Sequence, residues 1–321
     1  MPEPVLILTA TGIAVAASAL IFVICGWRWR WRRAVGPPWL NAGWVLGVGF
    51  GLLLGCWALG IRPHWPPSEV IDRLLGLVLP AVLVVELLAV FPKVPRWLVW
   101  TLRLALVAGG ARVLLQGTSY ITDLAGPGTS EWSPPLAWVI FGGLAALEAA
   151  VWALLSLLDR RAPGPSVPVC LAVASAGAAL TVMFSGSASG GQVGLPLAAA
   201  IVGAATAMLV LTRSSRGTGP LGVPIIGLFS LLVMGRFFGE LPSAFALLLC
   251  CAPLLGWLPE LPYVNRLPSW ARGLARVLLV GALVSALVVL AQRKFDRDFQ
   301  SPSGAAGTEE PSVQDYLNFG K

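Results

Sequence analysis

Apolar runs long enough to cross a bilayer recur along the whole 321-residue chain. They fall at about 4–26, 40–60, 74–91, 97–117, 135–158, 167–185, 195–212, 221–239, 242–258 and 274–292. Each is roughly 18–24 residues, enough for a helix to span about 30 Å of hydrocarbon. That layer offers no water to satisfy backbone N–H and C=O groups, so the chain must bond within its own helices. The expected fold is therefore all-α, a polytopic transmembrane bundle of about ten helices. Composition agrees: 57% of residues are hydrophobic and 12% charged, and mean hydropathy is +0.81. A soluble domain of this length needs more polar surface. The longest connection, roughly 118–134, is rich in Gly, Pro and Ser and too short for a folded soluble domain.

Lys and Arg predict orientation. One set of alternate connections holds Arg28, Arg30, Arg32, Arg33, Lys93, Arg96, Arg160, Arg161, Arg213, Arg216, Arg266 and Arg272. The opposite set holds Arg62 and Arg73 before the C-terminal tail. The positive-inside rule places the first set in the cytoplasm. Both termini are then expected outside the cytoplasm, in a multi-pass protein of the cell inner membrane; Arg293, Lys294 and Arg297 in the tail argue mildly against this. The N-terminal run has no basic segment before it and a basic cluster after it, the order of an N-out anchor rather than a cleavable signal peptide. The net charge of +7 resides mostly in these loops. It serves topology and gives no reason to expect nucleic acid.

Two stretches, 4–110 and 195–282, read as one four-helix unit written twice. Leu87-Leu88-Ala89-Val90-Phe91-Pro92 aligns with Leu254-Leu255-Gly256-Trp257-Leu258-Pro259, and Trp97 and Arg103 recur as Trp270 and Arg276. Ala16-Ala17-Ser18-Ala19-Leu20 aligns with Ala204-Ala205-Thr206-Ala207-Met208, and Gly60-Ile61-Arg62-Pro63 with Gly239-Glu240-Leu241-Pro242. The matches keep their order, so an internal parallel duplication is expected. The chain divides into a first repeat (1–117), an outer loop with two linking helices (118–192), a second repeat (193–292) and a disordered tail (293–321), polar until Tyr316-Leu317-Asn318-Phe319.

Gly43, Gly47, Gly51 and Gly55 stand four apart in the second run, a smooth ridge on which another backbone can close. Internal packing is the main expectation for it; a homodimer seam or a sliding surface is the alternative. Tryptophans at run ends, such as Trp39, Trp97 and Trp270, fit an aromatic belt. The dense segment Trp27-Arg28-Trp29-Arg30-Trp31-Arg32-Arg33 fits cytoplasmic anchoring, and Arg28, Arg30, Arg32 and Arg33 are candidates for binding anionic lipid head groups. Cys25, Cys56, Cys170, Cys250 and Cys251 lie in or at the ends of apolar runs at no metal-site spacing.

Ionisable groups at membrane depth are costly and mark candidate sites. Glu86 and Arg103 lie about 8–9 Å from the cytoplasmic ends of adjacent helices, and the short Pro92–Arg96 hairpin favours their pairing. Arg276 repeats Arg103, but Pro253 replaces Glu86, so Arg276 needs another partner or must snorkel. Arg112 and Glu148, about 22 and 15 Å deep, are the deepest pair of opposite sign. Gln116 adds polarity one turn beyond Arg112. Arg236 and Glu240 can pair within one helix. Such pairs either fix helix register or form a polar site at the repeat interface, where Arg112 binds an anionic group or Glu148 carries a proton.

Enzyme signatures are absent. His64, the single histidine, has no ligand partner at motif spacing, and no H-E-x-x-H or P-loop occurs. Ser185-Gly186-Ser187-Ala188-Ser189-Gly190-Gly191 reads as a flexible turn, since no histidine within a span can serve as base. No catalytic residue, metal site or cofactor is expected. The function expected is transport of a small solute, anionic where Arg112 binds it, through the site of Arg112, Glu148, Gln116, Glu86 and Arg103 at the repeat interface. The alternative is a non-catalytic subunit or scaffold of a larger membrane complex. Expected partners are membrane lipids and a homodimeric or complex partner.

Overall fold

The computed structural model describes residues 4–30, 38–118, 120, 132–162, 164–211, 220–261 and 268–300. Ten long helical segments follow one another: α1 (Pro4–Arg30), α2 (Pro38–Ala58), α3 (Val70–Val90), α4 (Arg96–Leu115), α5 (Pro134–Arg161), α6 (Ser166–Phe184), α7 (Ala188–Leu211), α8 (Gly222–Phe237), α9 (Ser243–Glu260) and α10 (Ser269–Gln300). No strand occurs among the described residues. Each apolar run is a helix, as the bilayer demands. Among the described residues, nine helices are long and apolar enough to cross a membrane; α8, with 16 residues, is the short one. The chain is a multi-pass integral membrane protein.

Proline sets many boundaries. Pro95, Pro165 and Pro242 are the N-caps of α4, α6 and α9, and Pro134 and Pro135 open α5. These are positions where a missing N–H costs no helical bond. Among the helices with an internal proline, α7 runs on as a regular α-helix through Pro196, whereas two others change pitch nearby. In α3, Leu74–Val78 widens to a π-turn just before Pro80. That ring cannot donate to the carbonyl of Gly76 and would crowd it in a regular helix, which the wider turn relieves. In α9, Ala252–Glu260 tightens to a 3₁₀ helix containing Pro253 and Pro259.

The sequence expectation ends α10 at 292 with a disordered tail beyond it. The helix instead continues through Arg293, Lys294 and Arg297 to Gln300. A helix already nucleated in the membrane propagates cheaply through good helix formers. The remaining tail, 301–321, lies outside the described residues.

The centre of the bundle is α6, α7 and α8, which touch one another, while the other helices surround them. α1 and α2 flank α7, α3 and α4 lie against α8, and α10 lies along α6. The sequence reading makes α6 a linking helix; the structure buries it at the centre. Small residues allow this: a Cβ on Gly177 would lie 2.0 Å from Val284 of α10, and one on Gly194 would lie 2.6 Å from Ala179.

The glycine ridge of α2 is covered from both sides by this same chain. Added Cβ atoms on Gly43 and Gly47 would lie 2.8 Å from Cys25 Cβ and 2.9 Å from the Ser18 carbonyl, both on α1. One on Gly51 would meet Ala14 and Ala200 at 2.9 Å, and one on Gly55 would meet Pro196 at 2.7 Å. The ridge therefore faces α1 and α7 rather than a second molecule. Ser18 of α1 adds a hydrogen bond of 2.7 Å to the Ala200 carbonyl of α7. Gly203 of α7 in turn sits against the backbone of Val15.

Candidate functional site

One face of α3 runs past α2, α7 and α8 and builds a column in three tiers. Its upper tier lies at the end of the bundle where α3 and α7 begin. The 91–96 turn, with the end of α5 at Arg161 and the start of α6 at Ser166, forms the other, basic end.

The upper tier is a cleft of about 280 Å³ with a polar rim that includes Ser68, Glu69, Arg73, Gln116, Ser187 and Ser189. Arg73 closes one side. Its guanidinium donates to the carbonyls of Ser68 (2.9 Å), Leu114 (3.5 Å) and Gln116. Beside it, the buried Asp72 accepts from the backbone N–H groups of His64 (3.0 Å) and Glu69 (3.4 Å), which fixes the preceding loop. The hydroxyls, carboxylate and amide of this rim suit a small polar molecule.

The middle tier is a constriction of about 10 Å³ between Leu52, Val78, Val82, Leu197, Ile226 and Leu231. It is wholly apolar and barely the size of one water, so it stays dry. The π-turn Leu74–Val78 forms its wall on α3. Such turns are local departures from the helical ladder and often occur at functional positions.

The lower tier is Glu86, one turn of α3 beyond Val82 and completely buried. Arg103 of α4 grips its carboxylate with Nε at 2.8 Å from Oε1 and a terminal nitrogen at 2.9 Å from Oε2. The Arg103 guanidinium also lies over the rings of Trp152 (5.0 Å) and Trp100 (5.3 Å). Gly222, the first residue of α8, packs on the carboxyl group, and a Cβ there would lie 2.5 Å from its carbon. The positive end of the α8 dipole therefore faces the Glu86 carboxylate. A fork-shaped pair with cation–π contacts is the arrangement that best offsets the desolvation of two charges.

The structure separates the other expected pair. Arg112 is exposed and lies over Trp138 at 5.4 Å, whereas Glu148 is buried, at 2% exposure. Counting residues gives depth along a helix but not the direction a side chain faces. Ala111, Leu114 and Leu115 take the inner face of α4 and turn Arg112 outward. Glu148 shares the inner face of α5 with Trp152, and both Glu148 Oε1 and Trp152 Nε1 lack a hydrogen-bond partner. Gln116 caps α4 and lines the upper cleft, away from Glu148's helix face. Arg236 does not pair with Glu240, because α8 ends at Phe237 and Glu240 lies in the following turn. Its Nε donates instead to Ser243 Oγ at 2.8 Å. The side chains of Arg28 and Arg30, and all of Arg32 and Arg33, lie outside the described residues.

Other residues emerge from the tertiary structure alone. Arg276 finds Glu260, at the end of α9, and Ser166 Oγ at 2.9 Å. Glu260 follows a proline-rich stretch and reads in sequence as a loop charge. Asp159, buried at 4%, has an unpartnered Oδ1 and is masked in sequence by Arg160 and Arg161 beside it. Arg73 reads as a loop residue but lies inside α3. Among the described residues, no group of three or more His, Cys, Asp or Glu side chains is placed to hold a metal ion. No protein-family model matches this chain, and no curated protein matches it either.

Proposed function

We propose that this membrane protein is a transporter that passes a small polar solute along the α2–α3–α7–α8 column. The observation that carries the reading is the stacking of three unlike tiers on one face of α3: a polar cleft, a dry apolar constriction and a buried ion pair. This is the layout of a pathway closed in the middle. Polar groups receive the solute, apolar side chains block leakage, and the Glu86–Arg103 pair gates the basic end. The solute site moves from Arg112 and Glu148 to this column, since those two residues face different surroundings.

Two further features support the reading. If the chain is a duplication, α2 and α3 belong to the first copy and α7 and α8 to the second, so the column lies where the copies meet. Pseudo-symmetric transporters commonly bind substrate there. In both hairpins the arginine of the second helix finds a carboxylate, Arg103 with Glu86 and Arg276 with Glu260, although the two acids do not align, since Glu260 stands opposite Lys93 and Pro253 opposite Glu86. In this reading the basic end is cytoplasmic, the polar cleft opens outward, and both termini lie outside.

Cysteine accessibility tests it. Ser189→Cys in the cleft, and Val78→Cys and Val82→Cys in the constriction, are reconstituted into vesicles and treated with a membrane-impermeant maleimide on each face in turn. The unsubstituted chain serves as background for the native thiols. A transporter that alternates its opening exposes the constriction, so Val78→Cys and Val82→Cys label slowly and Ser189→Cys labels fast. If Ser189→Cys labels while both valine positions stay silent from either face, the column is static. The subunit or scaffold reading then replaces transport.

A further inference from the structure

A second cavity, of about 370 Å³, opens on the side of the bundle between α5, α8 and α9. Its walls are apolar and include Leu144, Leu147, Phe229, Leu232 and Ala246, and Cys250 lies at its deep end. Its mouth differs: Trp132, Arg236, Phe237 and Ser243 gather there, at the end of α8. From Ser243 to Cys250 the cleft follows α9 for about 10 Å at 1.5 Å per residue. It therefore has the shape of an amphiphile, with one polar end and a hydrocarbon-lined slot.

The charge at the mouth is unbalanced. Arg236 is exposed and gives Nε to Ser243 Oγ at 2.8 Å. Among the described residues, none of the ion pairs includes it. No carboxylate lines the cleft, so nothing there answers the ammonium of a zwitterionic head group. Helix length adds a second argument. With 16 residues, α8 is about 24 Å long at 1.5 Å per residue. That is shorter than a hydrocarbon layer of about 30 Å. A short span draws the membrane surface inward around itself, which brings head groups to the level of Arg236.

We propose that this cleft is a binding site for an anionic phospholipid. One acyl chain lies between α5, α8 and α9, and the phosphate rests on the Arg236 guanidinium and the Ser243 hydroxyl. Trp132 and Phe237, in aromatic contact at 5.5 Å, border the mouth at interfacial depth. Lateral placement on the bundle gives a lipid direct entry from the bilayer, separate from the α2–α3–α7–α8 column.

Native mass spectrometry of the detergent-purified chain with added phosphatidylglycerol or phosphatidylcholine tests the site. Phosphatidylglycerol is expected to survive collisional activation at higher occupancy than phosphatidylcholine. Arg236→Gln should lower phosphatidylglycerol affinity about tenfold, the scale of one charge-assisted contact. It should leave phosphatidylcholine unchanged. Ala246→Trp, which fills the slot, should lower retention of both lipids. Arg112→Gln, an exposed arginine outside the cleft, should change neither. Equal retention of the two lipids by the unsubstituted chain overturns the proposal. So does an Arg236→Gln variant that binds as before, or an Arg112→Gln variant that loses as much. Size-exclusion profiles matching the unsubstituted chain establish that each variant is folded, and Ser243→Ala, with a smaller expected loss, checks the same contact independently.

Discussion

Arg103 holds both carboxylate oxygens of Glu86, at 2.8 and 2.9 Å, in a place where solvent does not reach the acid at all. The two residues lie on opposite sides of the turn between α3 and α4, so this contact ties the hairpin together within the membrane. It also joins α4 to the centre, since Glu86 touches the first residue of α8.

Removing one member of such a pair leaves the other charge buried and unpaired. Glu86→Gln or Arg103→Gln is expected to cost about 3–5 kcal/mol. The double variant should cost clearly less than the sum, because neither charge is then stranded. Denaturation of the four proteins in one detergent measures the cycle. Additive losses would mean that the pair contributes no coupling.

The glycine ridge leads to a second prediction. A Cβ on Gly51 would lie 2.9 Å from the Ala14 carbonyl oxygen, a backbone atom that cannot rotate away. Gly51→Ala is expected to cost about 1–3 kcal/mol by overpacking the contact of α1, α2 and α7. Ser18→Ala, which loses the bond to the Ala200 carbonyl, should cost about 1 kcal/mol. Gly12→Ala on α1 is the control: nothing lies within 4 Å of its added Cβ. There the helix propensity of alanine should stabilise slightly. A Gly51→Ala protein as stable as Gly12→Ala would show that α1 and α2 do not approach this closely in the membrane.

Glu148 yields the opposite sign. Its buried Oε1 has no hydrogen-bond partner, so the residue stabilises nothing visible while burying a polar group. Glu148→Leu, similar in volume, is expected to raise stability by about 1–3 kcal/mol, the cost of an unsatisfied buried group. The midpoint of thermal unfolding in detergent checks this. A clear drop would show that Glu148 makes a stabilising contact in the folded protein and overturn this reading.

Much of the fold is legible in the sequence for a simple reason. A bilayer admits only helices and closed barrels, so an apolar run of the right length already implies its secondary structure. Prolines mark where helices begin, and the five-residue turn from Pro92 to Arg96 predicts the contact of Glu86 with Arg103. Arg112 and Glu148 show where this reasoning stops. Residue counting places them at nearby depths, but Arg112 faces outward over Trp138 and Glu148 faces inward beside Trp152. The azimuth of a helix is set by which neighbours it packs against. A chain hydrophobic all round most of its helices carries little signal for that.

The sequence by itself determined the number of helices, their approximate ends and the close approach along Gly43, Gly47, Gly51 and Gly55. These follow from length, proline and side-chain size, which are local properties. Only the tertiary structure decided that α6 and α8 lie at the centre, that Arg276 meets Glu260 and Ser166, and that α3 lines a column of three tiers. Those outcomes depend on which helices become neighbours. In a membrane that choice rests on packing and a few polar contacts between segments far apart in the chain.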